Sequence, residues 1–143
     1  MFQRTMCLLA LLALAPLTAA QDLPAVLRAN DAAAIEAAKD ASVIVVGKVT
    51  KAEWSRSGKV LNIEFEGATN FTAAEFERQK AKLDESFSGD FGKALTGAIV
   101  RLNGKIQPYG GHDQTLKNTL QLLITDSSQV TVVQPATPTT RPQ

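Results

Sequence analysis

The sequence holds little that commits it to a reaction. It has one cysteine (Cys7), one histidine (His112), one tryptophan (Trp54) and one tyrosine (Tyr109) in 143 residues. The cysteine and both methionines fall within the first seven positions. Those positions belong to a segment with its own logic. Residues 1–20 carry a single cation, Arg4, run uncharged from Thr5 through Leu17, and end on Thr18-Ala19-Ala20. A basic start, a short apolar centre and small residues at the end form the layout of a secretory signal peptide. The expectation is cleavage after Ala20 and export, to a periplasm, a cell envelope or the medium. A lipid anchor would need a cysteine at that boundary, and Cys7 precedes the apolar centre.

The 123 residues after Ala20 contain no cysteine, which excludes a disulfide, a thiol nucleophile and a thiolate-bound metal there. A lone histidine excludes a histidine-rich metal site. No second apolar run reaches the ~18–20 residues that span a bilayer. Losing Arg4 leaves 14 Lys and Arg against 14 Asp and Glu. Such a chain lacks the overall basic excess of a generic polyanion binder.

What remains is a series of strand and turn signals. Asp22–Asp40 reads as a short N-terminal helix, with Asn30 or Asp31 capping a run of helix formers from Ala32 to Lys39. Ser42–Thr50 is a β-branched strand interrupted by Gly47, the mark of a bulge or bend. After a turn at Ser55–Gly58, Leu61, Ile63 and Phe65 alternate with Asn62, Glu64 and Glu66. A period of two means one buried and one wet face. Phe71–Glu77 is a third, weaker strand, because Ala73, Ala74 and Glu75 are poor strand formers. Arg78–Phe87 reads as an amphipathic helix with Phe76, Leu83 and Phe87 on one stripe, stopped by Gly89 and Gly92. Thr96–Gln107 and Thr119–Thr125 are the fourth and fifth strands, and Val130–Val133 a short closing one. Residues 134–143 carry three prolines and little apolar content, as a disordered tail does. One domain is therefore expected over residues 21–133.

Three strands, a helix and two more strands suit an all-β fold with short helices. A small β domain must hide its strand edges, and the five-stranded OB-fold barrel does so with a helix between strands 3 and 4. Short motifs point the same way: Val43–Val49 (VIVVGKV), Ser55–Lys59 (SRSGK), and Ile99–Ile106 (IVRLNGKI). Together with Leu123–Asp126 closing on Gln129-Val130, they make residues 30–133 resemble the small exported bacterial OB-fold domains classed as nucleic-acid-binding.

No catalytic constellation is expected. His112-Asp113 offers a base beside a carboxylate, but a nucleophile placed against them is not legible. Glu64 and Glu66 share a face and suit either acid–base work or a solvated surface. No glycine pattern forms a phosphate loop. No cofactor and no metal are implied. For binding, an OB barrel uses the outer face of strands 2 and 3 with the loops joining strands 1–2 and 4–5. Charge is uneven over these segments: net +3 for Lys48–Lys59, +2 for Arg101–Lys117 and −4 for Val60–Asp90. Each basic segment holds one aromatic residue. The candidate ligand-binding residues are thus Lys51, Trp54, Arg56, Lys59, Lys105, Tyr109 and Lys117. Aromatics stack on bases while cations track the backbone, so single-stranded DNA or RNA is the expected partner. An envelope glycan or protein is the alternative. Trp54 serves equally as a cap on the core, and Tyr109 as a packing residue of its loop. Glu64 and Glu66 would repel phosphates if they faced the ligand.

Overall fold

The computed structural model describes residues 23–138. The expected signal peptide and the last five residues of the expected tail lie outside that range. The described residues form seven strands and three short helices: β1 (Val26–Arg28), α1 (Ala32–Ala37), β2 (Ser42–Trp54), β3 (Val60–Phe65), β4 (Phe71–Phe76), α2 (Lys80–Ser86), α3 (Phe91–Leu95), β5 (Ile99–Pro108), β6 (Leu120–Ile124) and β7 (Val130–Gln134). Strands β2, β3, β4, β6 and β5 pair in that order, and β5 pairs back onto β2. This is the closed five-stranded barrel of the OB fold, with β1 added to β2 and β7 added to β5. All barrel pairs are antiparallel except β4–β6, which runs parallel from Phe71↔Leu120 to Glu75↔Ile124.

The barrel interior follows from alternation. Leu61, Ile63 and Phe65 of β3 point inward and are buried. They meet Val43, Val45 and Val49 of β2, Val100, Leu102 and Ile106 of β5, and Leu120, Leu122 and Ile124 of β6. The Phe65 and Phe71 rings stand 5.5 Å apart between centroids. Strand β2 serves β1 and β5 along its first half, Ser42–Lys48, and β3 along its second, Val49–Trp54. Its register against β3 shifts between Val49 and Lys51. Just before that shift, a Cβ on Gly47 would lie 2.7 Å from the Ala29 Cβ and 2.9 Å from the Phe65 ring. The missing side chain is what admits both neighbours.

Several boundaries differ from the sequence reading. The N-terminal segment is not one helix. Residues 26–28 add a parallel strand to β2, and the helix is confined to Ala32–Ala37, capped by the Asp31 carboxylate accepting from the Ala34 N–H at 3.1 Å. An edge of β2 facing solvent is a better partner for Val26–Arg28 than a helix with almost no apolar face. The third strand is not weak: every residue from Phe71 to Glu75 is buried between β3 and β6. The helix after it begins only at Lys80, following a 3-10 turn over Glu77–Gln79. Phe76 ends β4, inside the expected third strand Phe71–Glu77, and does not join the helical stripe of Leu83 and Phe87. Gly89, at φ +94°, follows α2. Gly92 does not terminate a helix; it sits inside α3, which Asp90 caps through the Lys93 N–H at 3.0 Å. Gln134, assigned to the tail, pairs with Ile99 as the end of β7.

Helices α2 and α3 close one end of the barrel with Leu83, Phe91 and Leu95, all fully buried. The Asp84 carboxylate joins the two helices by accepting from the Phe91 N–H at 2.9 Å. Lys82 hydrogen-bonds Asp126 and ties α2 to the end of β6.

The crowding at Gly47 is directly testable. Gly47→Ala should destabilise the domain by roughly 1–3 kcal/mol, the usual cost of overpacking a tight site. Chemical denaturation measures it, and an unchanged midpoint would show that β2 is not held against Ala29 and Phe65.

Candidate nucleic-acid interface

The alternation that fills the barrel also builds its outer surface. Opposite the inward Leu61 and Ile63 stand Val60 and Asn62, and opposite the inward Ala73 and Glu75 stand Ala74 and Phe76. Gln121 faces outward on β6, where Thr72 is its registered partner. Val60, Asn62, Ala74, Phe76 and Gln121 floor a groove of about 470 Å³. One wall is the β2–β3 turn, with Ser55, Ser57 and Lys59. The other is the β5–β6 loop from Tyr109 to Asp113. The small Ala74 side chain gives the floor its depth.

Both walls are shaped locally. The Ser55 hydroxyl accepts from the Val60 N–H at 3.3 Å, and the Gly58 N–H donates to the Ser55 carbonyl at 2.8 Å. Gly58 takes φ +70°, which closes the turn without strain. In the opposite loop, Asp113 Oδ1 accepts from the Thr115 N–H at 2.9 Å and the Thr115 hydroxyl at 2.6 Å. These bonds hold the Asp113 carboxyl below its ordinary pKa. The carboxylate is thus spent on capping the 3-10 turn Gln114–Leu116, rather than on orienting His112. Tyr109 folds back across its own loop, where a Cβ on Gly111 would collide with the tyrosine hydroxyl.

The groove's chemistry is mixed. Phe76 lies on the floor with the Arg78 guanidinium 5.3 Å from its ring centroid, a cation–π arrangement. Tyr109 and His112 face it across the groove, and Asn62 and Gln121 add two amides. Flat rings, two amides and flanking cations can hold a planar, polar-edged group attached to a negative chain. Another depression, of about 490 Å³ and lined by Arg28, Lys48 and Glu66, has no aromatic residue.

Of the seven residues expected to bind ligand, Lys59 and Tyr109 line the groove. Arg56 is exposed at the tip of the same turn, between Ser55 and Ser57. Trp54 is elsewhere. It pairs with the inward Leu61, packs half-buried against the core, and carries the Lys80 ammonium 5.8 Å above its ring. It caps the barrel end beneath α2. Lys51 is 3.1 Å from Glu53, which also raises its pKa, and lies outside the groove lining. Lys105 sits on β5 opposite Ser42, and Lys117 follows the 3-10 turn; neither lines the groove.

The basic segments are therefore less basic than a count suggests, since Lys48 also stands 3.8 Å from Glu66. Glu64 lines a separate, smaller depression with Thr72 and Thr115. Among the described residues, no group of three or more His, Cys, Asp or Glu could hold a metal ion. The groove residues that sequence reasoning missed are Phe76, Asn62 and Gln121, with Arg78 beside the Phe76 ring but outside the groove lining. Continuing the period of two from Ala74 to Phe76 would have exposed the first of them.

No protein-family model matches the chain, and no curated protein sequence does. Solved structures do. An aspartyl-tRNA synthetase chain described from Leishmania major superposes with TM-score 0.56 at 11% identity, over 85% of this chain and 23% of that one. An aspartyl-tRNA synthetase from Entamoeba histolytica gives 0.47 at 12%, over 75% and 20%. An OBody bound to hen egg-white lysozyme gives 0.49 at 12%, over 70% and 88%. This chain thus spans about a quarter of the length of the Leishmania synthetase. At such identities the likeness speaks for the fold, and the first of the three agrees with the barrel described above.

The position of Trp54 can be checked without any ligand. Lys80→Ala should move its fluorescence to longer wavelength, because the ring loses its cover, while Lys59→Ala should leave it unchanged. The opposite pattern would place the ring in the groove.

Proposed function

We propose that this chain is an exported, non-catalytic module that binds single-stranded nucleic acid in the groove over β3 and β4. The observation that carries the reading is the floor itself. Phe76 with Arg78, Tyr109 across from it, and Lys59 at the rim combine stacking surfaces with cations, the pairing by which OB folds hold single strands. Asn62 and Gln121 supply donors and acceptors for base edges. Few cations reach the groove, so affinity is modest and falls with salt, as each neutralised phosphate releases counterions. Export rests on the pattern of residues 1–20.

Titration with DNA and RNA oligonucleotides at low salt tests the binding. Phe76→Ala and Tyr109→Ala should each weaken it about ten-fold or more, the range of one base–aromatic stack. Lys59→Ala should weaken it and reduce the salt slope by about one. Trp54→Phe should bind like the parent. Salt-insensitive binding of a glycan or a protein partner, with none to oligonucleotides, would give the groove to that ligand instead. For export, N-terminal sequencing of the protein from its native host should begin at Gln21, and a chain intact from Met1 inside the cell would remove that part.

A further inference from the structure

One charged side chain of the barrel points inward. Glu75 is 0% exposed, and neither of its carboxylate oxygens meets a hydrogen-bond partner. It belongs to a row at the capped end of the barrel, Trp54–Leu61–Glu75–Ile124, set by strand register. Its neighbours on β3 and β6 in that row are therefore apolar. The charges that act on it come from α2: Asp84 and Lys80. Lys80 is already committed, hydrogen-bonded to Asp84 and standing over Trp54. Asp84 is committed too, to Lys80 and to the Phe91 N–H. Asp90, at the head of α3, adds its negative charge near Lys80. The Lys82–Asp126 pair holds the far side of α2. Gln79 Oε1, just before α2, is another buried oxygen without a partner. An ionised carboxylate in this setting has no hydrogen bond and a like charge nearby, an arrangement that favours the neutral acid.

We propose that Glu75 is a proton switch beneath the α2–α3 cap: protonated it stays packed in the barrel, and ionised it loosens the cap and lowers the groove's affinity for single-stranded nucleic acid. The effect on affinity rests on the function proposed above. The mechanical link is short, since Ala74 and Phe76, on either side of Glu75, both line the groove. Burial first, then the Asp84 charge, raises its pKa from 4.5 to about 7, against an opposing pull from Lys80. A folded-state pKa raised in this way makes a contribution to stability that is complete below 4.5 and is lost as pH rises through about 7.

Trp54 shares the row and reports on it without ligand. Its emission, together with amide exchange of α2 and α3, should titrate near neutrality as pH rises from about 5 to about 9 in the parent protein. Glu75→Gln should abolish that transition. Glu75→Leu, which removes the polar oxygens altogether, should also lack it and serves if the glutamine variant folds poorly. His112→Gln should keep it, which separates the switch from the one histidine in the groove. Oligonucleotide affinity in the parent and in His112→Gln should fall about ten-fold over the same range, an ordinary size for coupling between sites, and stay level in the Glu75 variants. A transition that persists in both Glu75 variants overturns the switch. A pH-independent affinity in the parent, or an equal fall in the Glu75 variants, overturns its link to the groove. Absence of oligonucleotide binding at about pH 5 by folded protein overturns the groove reading and that link together, and the ligand-free titration then decides the switch alone.

Discussion

The parallel pairing of β4 with β6 is the contact on which the rest depends. Strands β2, β3 and β4 form a meander that would otherwise end in an open edge. The register from Phe71↔Leu120 to Glu75↔Ile124 joins that edge to the later half of the chain and makes a barrel. Closure removes the ladder edges from both strands, which an open sheet would leave unpaired. It also explains how a segment as poor in strand formers as Thr72-Ala73-Ala74-Glu75 is a strand. Partners on both sides hold it, and small side chains suit the places it fills. Ala73 leaves room for Ile63 and Leu122 inside, and Ala74 leaves a hollow outside. Groove and hydrophobic core are two faces of the same few residues.

Closure also sets the cost at the barrel's end. Once β4 is locked between β3 and β6, the alternation that turns Ala74 and Phe76 outward must turn Glu75 inward. The charged residues of α2 do not reach in to satisfy it, because Lys80 and Asp84 are engaged with each other and Asp84 also holds the start of α3. The cap is thus assembled on top of an acid it does not neutralise. The pairing that shapes the groove and the unpartnered acid proposed to adjust it lie on one strand.

The sequence made the barrel legible where period and turn chemistry were strong. The alternation of Leu61, Ile63 and Phe65, the interruption at Gly47, and the order of three strands, a helix and two strands all led to the OB fold. What stayed hidden depended on partners distant in sequence. Val26–Arg28 is a strand only because β2 offers an edge. Glu75 looks like a surface residue until β6 arrives beside it. Helix α3 is five residues long and depends on an Asp90 cap and burial of Phe91, so no period announces it. The site was harder than the fold. Proximity in sequence assigned Trp54 to the basic turn beside Arg56, whereas the register with Leu61 turns it to the barrel's end. The spacing of Phe76 to Leu83 and Phe87 fits a helical stripe as well as the end of the third strand, and only the register of β4 decides between them.

Chemical-shift mapping of the folded domain with a single-stranded oligonucleotide at low salt addresses the central claim most directly: that β3 and β4 present the ligand on the face opposite the core. Perturbed amides are expected at Lys59, Asn62, Ala74, Phe76, the Tyr109–Asp113 loop and Gln121, with the indole of Trp54 and strands β1 and β7 unmoved. Shifts confined to β1, β7 and the depression at Arg28 and Lys48, with the groove silent, would contradict it.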